Sequence, residues 1–210
     1  MCMLKTRCSD ERGRTFVEVL SYIMIMISIT AGMGAAVSRG YYKYEASEVQ
    51  QQLVDLKKAI AMRYAADGNY ALISLDDLCA DNAGPHSMMP KRKCETTDGK
   101  EVCKCASQKM HHIFDGSAEI GSASDGLMFY ITFSGLPTDI CVQLATKAWD
   151  LQEGSDLDHM VINTNKTWSW KYSPLFEEVS GAYELPAKIQ DAASACGKDG
   201  YTNKITWYFN

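Results

Sequence analysis

The chain has 210 residues, 46% of them hydrophobic and 22% charged, with a formal net charge of -5. This composition excludes a disordered chain and allows one ordinary domain plus an appended helix. An acidic chain without a basic block also argues against nucleic-acid binding.

In chain order, Met1 to Gly13 is a polar leader holding Lys5, Arg7 and Arg12 against Asp10 and Glu11. From Phe16 to Val37 the chain is nearly all apolar or small, and Glu18 is its only formally charged residue. A run of this length is enough for one membrane-spanning helix, which needs roughly 20 apolar residues. A lone carboxylate there is costly and must find a cation, a proton or a polar cavity. Gly13 sits immediately before the run, where an ordinary secretory signal would place its cleavage site after it. A cut after Gly13 would keep the helix, make Arg14 the first residue and Glu18 the fifth, and leave a net charge of -6. The cationic leader favours an N-terminus left in the cytoplasm and a translocated remainder.

Ser28, Gly32, Ala36 and Gly40 recur every four residues and form a small-residue stripe that lets helices approach closely. Past Arg39 the helix turns amphipathic. Val49, Leu53, Leu56, Ile60 and Tyr64 fall on one face, and Glu48, Gln51, Gln52, Asp55 and Lys58 take the other positions. Asp67-Gly68-Asn69 ends the helix near Ala66. The expected organisation is therefore a leader at 1–13, a long helix at 14–66 and a globular head at 67–210.

Leu72, Leu75 and Leu78 suggest a short helix, broken at Ala83-Gly84-Pro85. Lys91-Arg92-Lys93 is expected in a solvated loop. Phe114 to Ile120 is a turn leading into a strand, and Leu127 to Phe133 is a clear strand rich in β-branched and aromatic residues. Thr138 or Asp139 is expected to cap a helix through Cys141 to about Trp149. Met160 to Asn163 and Lys166 to Trp170 are two strands around an Asn-rich turn. Pro186 to Ala195 is a helix, and Lys204 to Phe209 a final strand. The fold class is α+β: a long N-terminal helix packed on an antiparallel sheet.

Of eight cysteines, Cys2 and Cys8 lie in the leader; Cys79, Cys94, Cys103, Cys105, Cys141 and Cys196 lie beyond the apolar run. An even count there points to disulfides in an oxidising compartment. Cys79, Cys94, Cys103 and Cys105, with His111 and His112, do not match the paired spacing of a zinc site, and disulfides are the expected use. Oxidised cysteines would not serve as a nucleophile near His111. Glu153, Asp156 and Asp158 lack the spacing of a calcium loop. Trp168 and Trp170 share one strand face and are expected in a core or subunit interface. No catalytic set, cofactor or metal is expected, and Asn165-Lys166-Thr167 carries no weight as a glycosylation site.

Gly13, the segment from Arg14-Thr15-Phe16-Val17, and Glu18 together resemble the N-terminus of a type IV prepilin. Arg14 departs from the family, whose mature chains begin with a methylated Phe, Met or other apolar residue. Gly68-Asn69-Tyr70, Leu78 and Gly84-Pro85, the strand before Leu136-Pro137 and Cys141, and the late Cys196 are similar to the order of type IVb pilins. The resemblance implies a pilin fold with Cys141 paired to Cys196. It also implies cleavage by a prepilin peptidase and passage through the inner membrane to its assembly machinery. Self-assembly into a helical surface pilus would follow, with Glu18 neutralising a neighbouring subunit's N-terminal amine. A minor pilin, a type II secretion pseudopilin, a membrane-anchored adhesin and an anchored exported enzyme are the competing readings. The last lacks a catalytic set.

Overall fold

The computed structural model describes residues 8–64, 66–97, 100–147, 149, 156–163, 166–169, 183–197 and 202–210, with residues 8–15, 33–36, 38, 39, 42, 97 and 125 as backbone alone. Helix α1 spans Cys8–Tyr64, so it begins before Gly13 and ends two residues before the expected stop at Ala66. The chain divides into two compact units, Met1–Glu45 and Ala46–Asn210. The division falls inside α1, because the amphipathic half of the helix belongs to the head.

In the first unit, Phe16, Tyr22, Met24, Met26 and Ile27 are all exposed by more than 60%. The expected membrane-spanning half is not recovered: among the described residues no helix is long and apolar enough to cross a membrane.

In the second unit, Val49, Leu53, Leu56, Ile60 and Tyr64 of α1 are buried, as their spacing of four and three requires. The backbone N–H groups of Asp67 and Gly68 both donate to the Tyr64 carbonyl at 3.1 Å. Gly68 closes the helix at φ +60°, in the left-handed region that favours glycine. Helix α2 spans Leu75–Ala80, shorter than the leucine spacing suggested. Ser74 caps it by accepting from the Asp76 N–H, and Leu72 stays 84% exposed.

Strands β1 (Arg92–Thr97) and β2 (Lys100–Cys105) form a separate antiparallel hairpin. Of the solvated loop expected at Lys91-Arg92-Lys93, Arg92 and Lys93 thus belong to a strand. The three side chains are exposed as expected, but Cys94 lies opposite Cys103 and fixes the pairing. Strands β3 (Met110–His111), β4 (Ser117–Ala123) and β5 (Met128–Leu136) open the main sheet. Helix α3 (Thr138–Thr146) follows, then β6 (Leu157–Ile162), β7 (Lys166–Ser169) and β8 (Tyr183–Glu184). Helix α4 (Ile189–Ala195) leads to β9 (Asn203–Phe209). The sheet order is β3-β4-β5-β9-β6-β7-β8. All neighbours are antiparallel except β7 and β8, which pair in parallel, so the purely antiparallel expectation is corrected at that edge.

Alternation places Phe129, Ile131 and Phe133 of β5 beside Phe209, Trp207 and Ile205 of β9, all fully or nearly buried. With the α1 face and Ile140, Cys141 and Leu144 of α3 they form one core. The expected Thr138 or Asp139 cap is not made. Pro137 takes the cap position without a side-chain bond, and Thr138 Oγ1 donates instead to the Gly197 carbonyl.

Candidate functional site

The exposed surface of the first unit has an internal order. Ser21 and Ser28 donate their hydroxyls to the carbonyls of Val17 and Met24, each at 2.8 Å, and Thr30 donates to Met26. Each bond turns a polar side chain back onto its own helix, four residues earlier. The run therefore offers few unmet donors to an apolar surrounding. Glu18 stands exposed among these residues. Among the described residues, nothing lies within 4 Å of where a side chain at Gly32 or Gly40 would point. The helix backbone passes through Gly13, Arg14 and Ala36, and the side chains of Arg14 and Ala36 lie outside the described residues.

The head is tied by three disulfides: Cys79–Cys105, Cys94–Cys103 and Cys141–Cys196. Cys141 and Cys196 are buried and join α3 to the end of α4. Cys79 fixes α2 to the end of the hairpin. These bonds consume every cysteine considered for zinc. Cys94, Glu101 and Cys103 lie close enough to resemble a metal cluster, but both sulfurs are in one disulfide and offer no thiolate. Asp156 pairs with Lys57 at 2.9 Å and Asp158 with His159 at 2.6 Å. Glu153, Asn165 and Trp170 lie outside the described residues. Trp168 is fully buried and stacks on Tyr183 with ring centroids 5.2 Å apart.

Three polar anchors were not legible as such in the sequence. Gln52, expected on the polar face of α1, is only 2% exposed. Its Nε2 donates to Ser87 Oγ at 3.0 Å, and its Oε1 accepts from the Ile113 N–H at 3.3 Å. His112 is equally buried. The Phe114 N–H points at its Nδ1, which leaves Nε2–H to donate to the Ser134 carbonyl at 2.9 Å. Burial lowers the His112 pKa below its ordinary value, against the opposing pull of the Ser134 bond. Gly116 packs so close to this ring and to Ser134 that any side chain there would collide. Asn203 is the third, fully buried at the start of β9. Its Oδ1 accepts from the Gly197 N–H at 2.6 Å and from Asn163 Nδ2 at 3.0 Å, and its Nδ2 donates to the Leu136 carbonyl at 3.2 Å. An Asn opening a strand was the only available signal, since Asn is depleted in strands.

The sequence model of the Bundlin family matches residues 43–210, the head and the last turns before it. The chain belongs to the Bundlin family of type IV pilins. This family consists of structural subunits, not enzymes. No curated protein matches the chain. Among solved structures, a type IV b pilin from Salmonella typhi is similar at 18% identity; the match covers 80% of this chain and 99% of that one, with a TM-score of 0.48. Gly13, Glu18 and the small-residue stripe lie outside the stretch that the Bundlin model matches.

Proposed function

We propose that this pilus subunit is the filament-building pilin of a type IVb pilus, assembled through the first unit of α1. The observation that carries the reading is the exposed apolar surface from Phe16 to Ile29. A helix apolar on all sides needs burial in a larger assembly or in lipid. In the filament, helices of neighbouring subunits would cover it, approaching closely at Ser28, Gly32, Ala36 and Gly40. Before assembly, the inner membrane would cover it. Heterologous contacts that do not close a ring build such a filament.

Processing prepares the helix. A prepilin peptidase cuts after Gly13 and frees the α-amino group of Arg14. Glu18 then neutralises the amine of an adjacent subunit, since an unpaired carboxylate in a filament core is expensive. The Arg14 guanidinium adds a second cation at the same place. The inner-membrane assembly machinery receives the processed pilin, and the product lies on the cell surface.

Glu18→Ala tests this in the native host. Intact-mass measurement should give a chain beginning at Arg14, and electron microscopy of sheared surface material should show few or no filaments. Normal filament yield from the variant would remove the register role of Glu18. A full-length chain in the wild type would remove the processing step.

A further inference from the structure

We propose that the Cys94–Cys103 disulfide of the β1–β2 hairpin is a thiol-exchange site, at which a small thiol such as glutathione or cysteine becomes attached to Cys94. The two sulfurs of this bond have different surroundings. Cys94 is exposed, whereas Cys103 is 7% exposed and receives a hydrogen bond from Arg92 Nη2 at 2.9 Å. The other two bonds are better shielded: Cys79, Cys141 and Cys196 are each no more than 3% exposed, and Cys105 is half-buried. Exposed disulfides are the labile ones, and exchange is faster when the leaving sulfur is the better thiolate.

The step follows from that asymmetry. An incoming thiol ionises and its proton goes to solvent. The thiolate attacks Cys94 Sγ, the new S–S bond forms there, and the Cys94–Cys103 bond breaks. The electron pair leaves on Cys103 Sγ, beside the Arg92 guanidinium, which stabilises the thiolate. The exchange is redox-neutral and needs no further reactant.

The surrounding charges act in two directions. Lys93, directly opposite Lys104 across the hairpin, and Lys91 make this a basic arm of an acidic protein and draw an anionic thiolate at longer range, since the Lys93–Lys104 pair alternates to the face away from the disulfide. Glu101 opposes this. Its carboxylate oxygen and both sulfurs lie within 4.8 Å of one another, which disfavours a thiolate at either sulfur. Arg92 and Glu101 are thus opposing controls on one bond.

The test uses the full oxidised chain in detergent with reduced glutathione, quenched by N-ethylmaleimide and mapped by peptide mass. The expected products are glutathione on Cys94 and maleimide on Cys103, formed about tenfold or more faster than either other disulfide opens. Arg92→Gln should slow the exchange about threefold through the poorer leaving thiolate, and Glu101→Gln should speed it. The intact Cys79–Cys105 and Cys141–Cys196 bonds report that each variant is folded. If Arg92→Gln fails to fold, Glu101→Gln carries the test. Glutathione on Cys103, equal opening of all three bonds, or an unchanged rate in Glu101→Gln would overturn the proposal.

Discussion

Replacing Asn203 with Ala should destabilise the head far more than an ordinary strand substitution. Its side chain meets the Gly197 N–H, which follows Cys196 in the chain, Asn163 Nδ2 and the Leu136 carbonyl. Asn163 keeps its bond to the Ala195 carbonyl at 2.8 Å. The Gly197 N–H and the Leu136 carbonyl lose the partner that Asn203 supplies. A buried polar group left without a partner costs about 1–3 kcal/mol, so two such groups imply a loss of about 2–6 kcal/mol. That is a large share of the 5–15 kcal/mol that ordinarily separates folded from unfolded chains. The assay is urea unfolding of the oxidised full chain in detergent, followed by the near-ultraviolet signal of the buried Trp168 and Trp207. The variant should unfold at a clearly lower urea concentration with its slope unchanged. A loss below about 1 kcal/mol would refute the reasoning, because it would mean that water or a backbone shift satisfies the orphaned groups.

Gln52→Ala should cost about 1–3 kcal/mol in the same assay, since it unties α1 from Ser87 and Ile113; a neutral result would exclude Gln52 as an anchor. The His112 pKa is lowered from 6.5, so its contribution is complete above that pH and is lost as pH falls below 6.5 and through the folded value. Stability of the wild type should therefore decline on acidification. Urea midpoints for His112→Gln should vary less between pH 7.5 and pH 5, about the window in which a histidine titrates. His111 and Asp115 act on this ring as weaker opposing charges, and Asp115→Asn should lower the pH at which the decline is complete. Changing both Cys141 and Cys196 to Ser opens a loop with a separation of 55 residues and should remove up to about 4 kcal/mol by chain entropy; an unchanged midpoint would contradict that assignment.

Local rules determined much of this protein from the sequence alone. The spacing of Val49, Leu53, Leu56 and Ile60 fixes a buried helix face, because side chains three and four residues apart share one side. The β-branched and aromatic runs around Phe129 and Trp207 fix two strands with one buried face. Gly68 fixes the stop of α1, because its backbone has a positive φ. The tertiary structure decided what depends on distant partners. Lys91-Arg92-Lys93 has the composition of a loop, and only pairing with β2 and the Cys94–Cys103 bond make Arg92–Thr97 a strand. Gln52, His112 and Asn203 have polar side chains that sequence patterns assign to the surface. Each is buried because backbone groups from elsewhere in the chain, at Ile113, Ser134 and Leu136, converge on it. No local pattern encodes such a meeting, since a buried polar group is stable only when its partner arrives from another element.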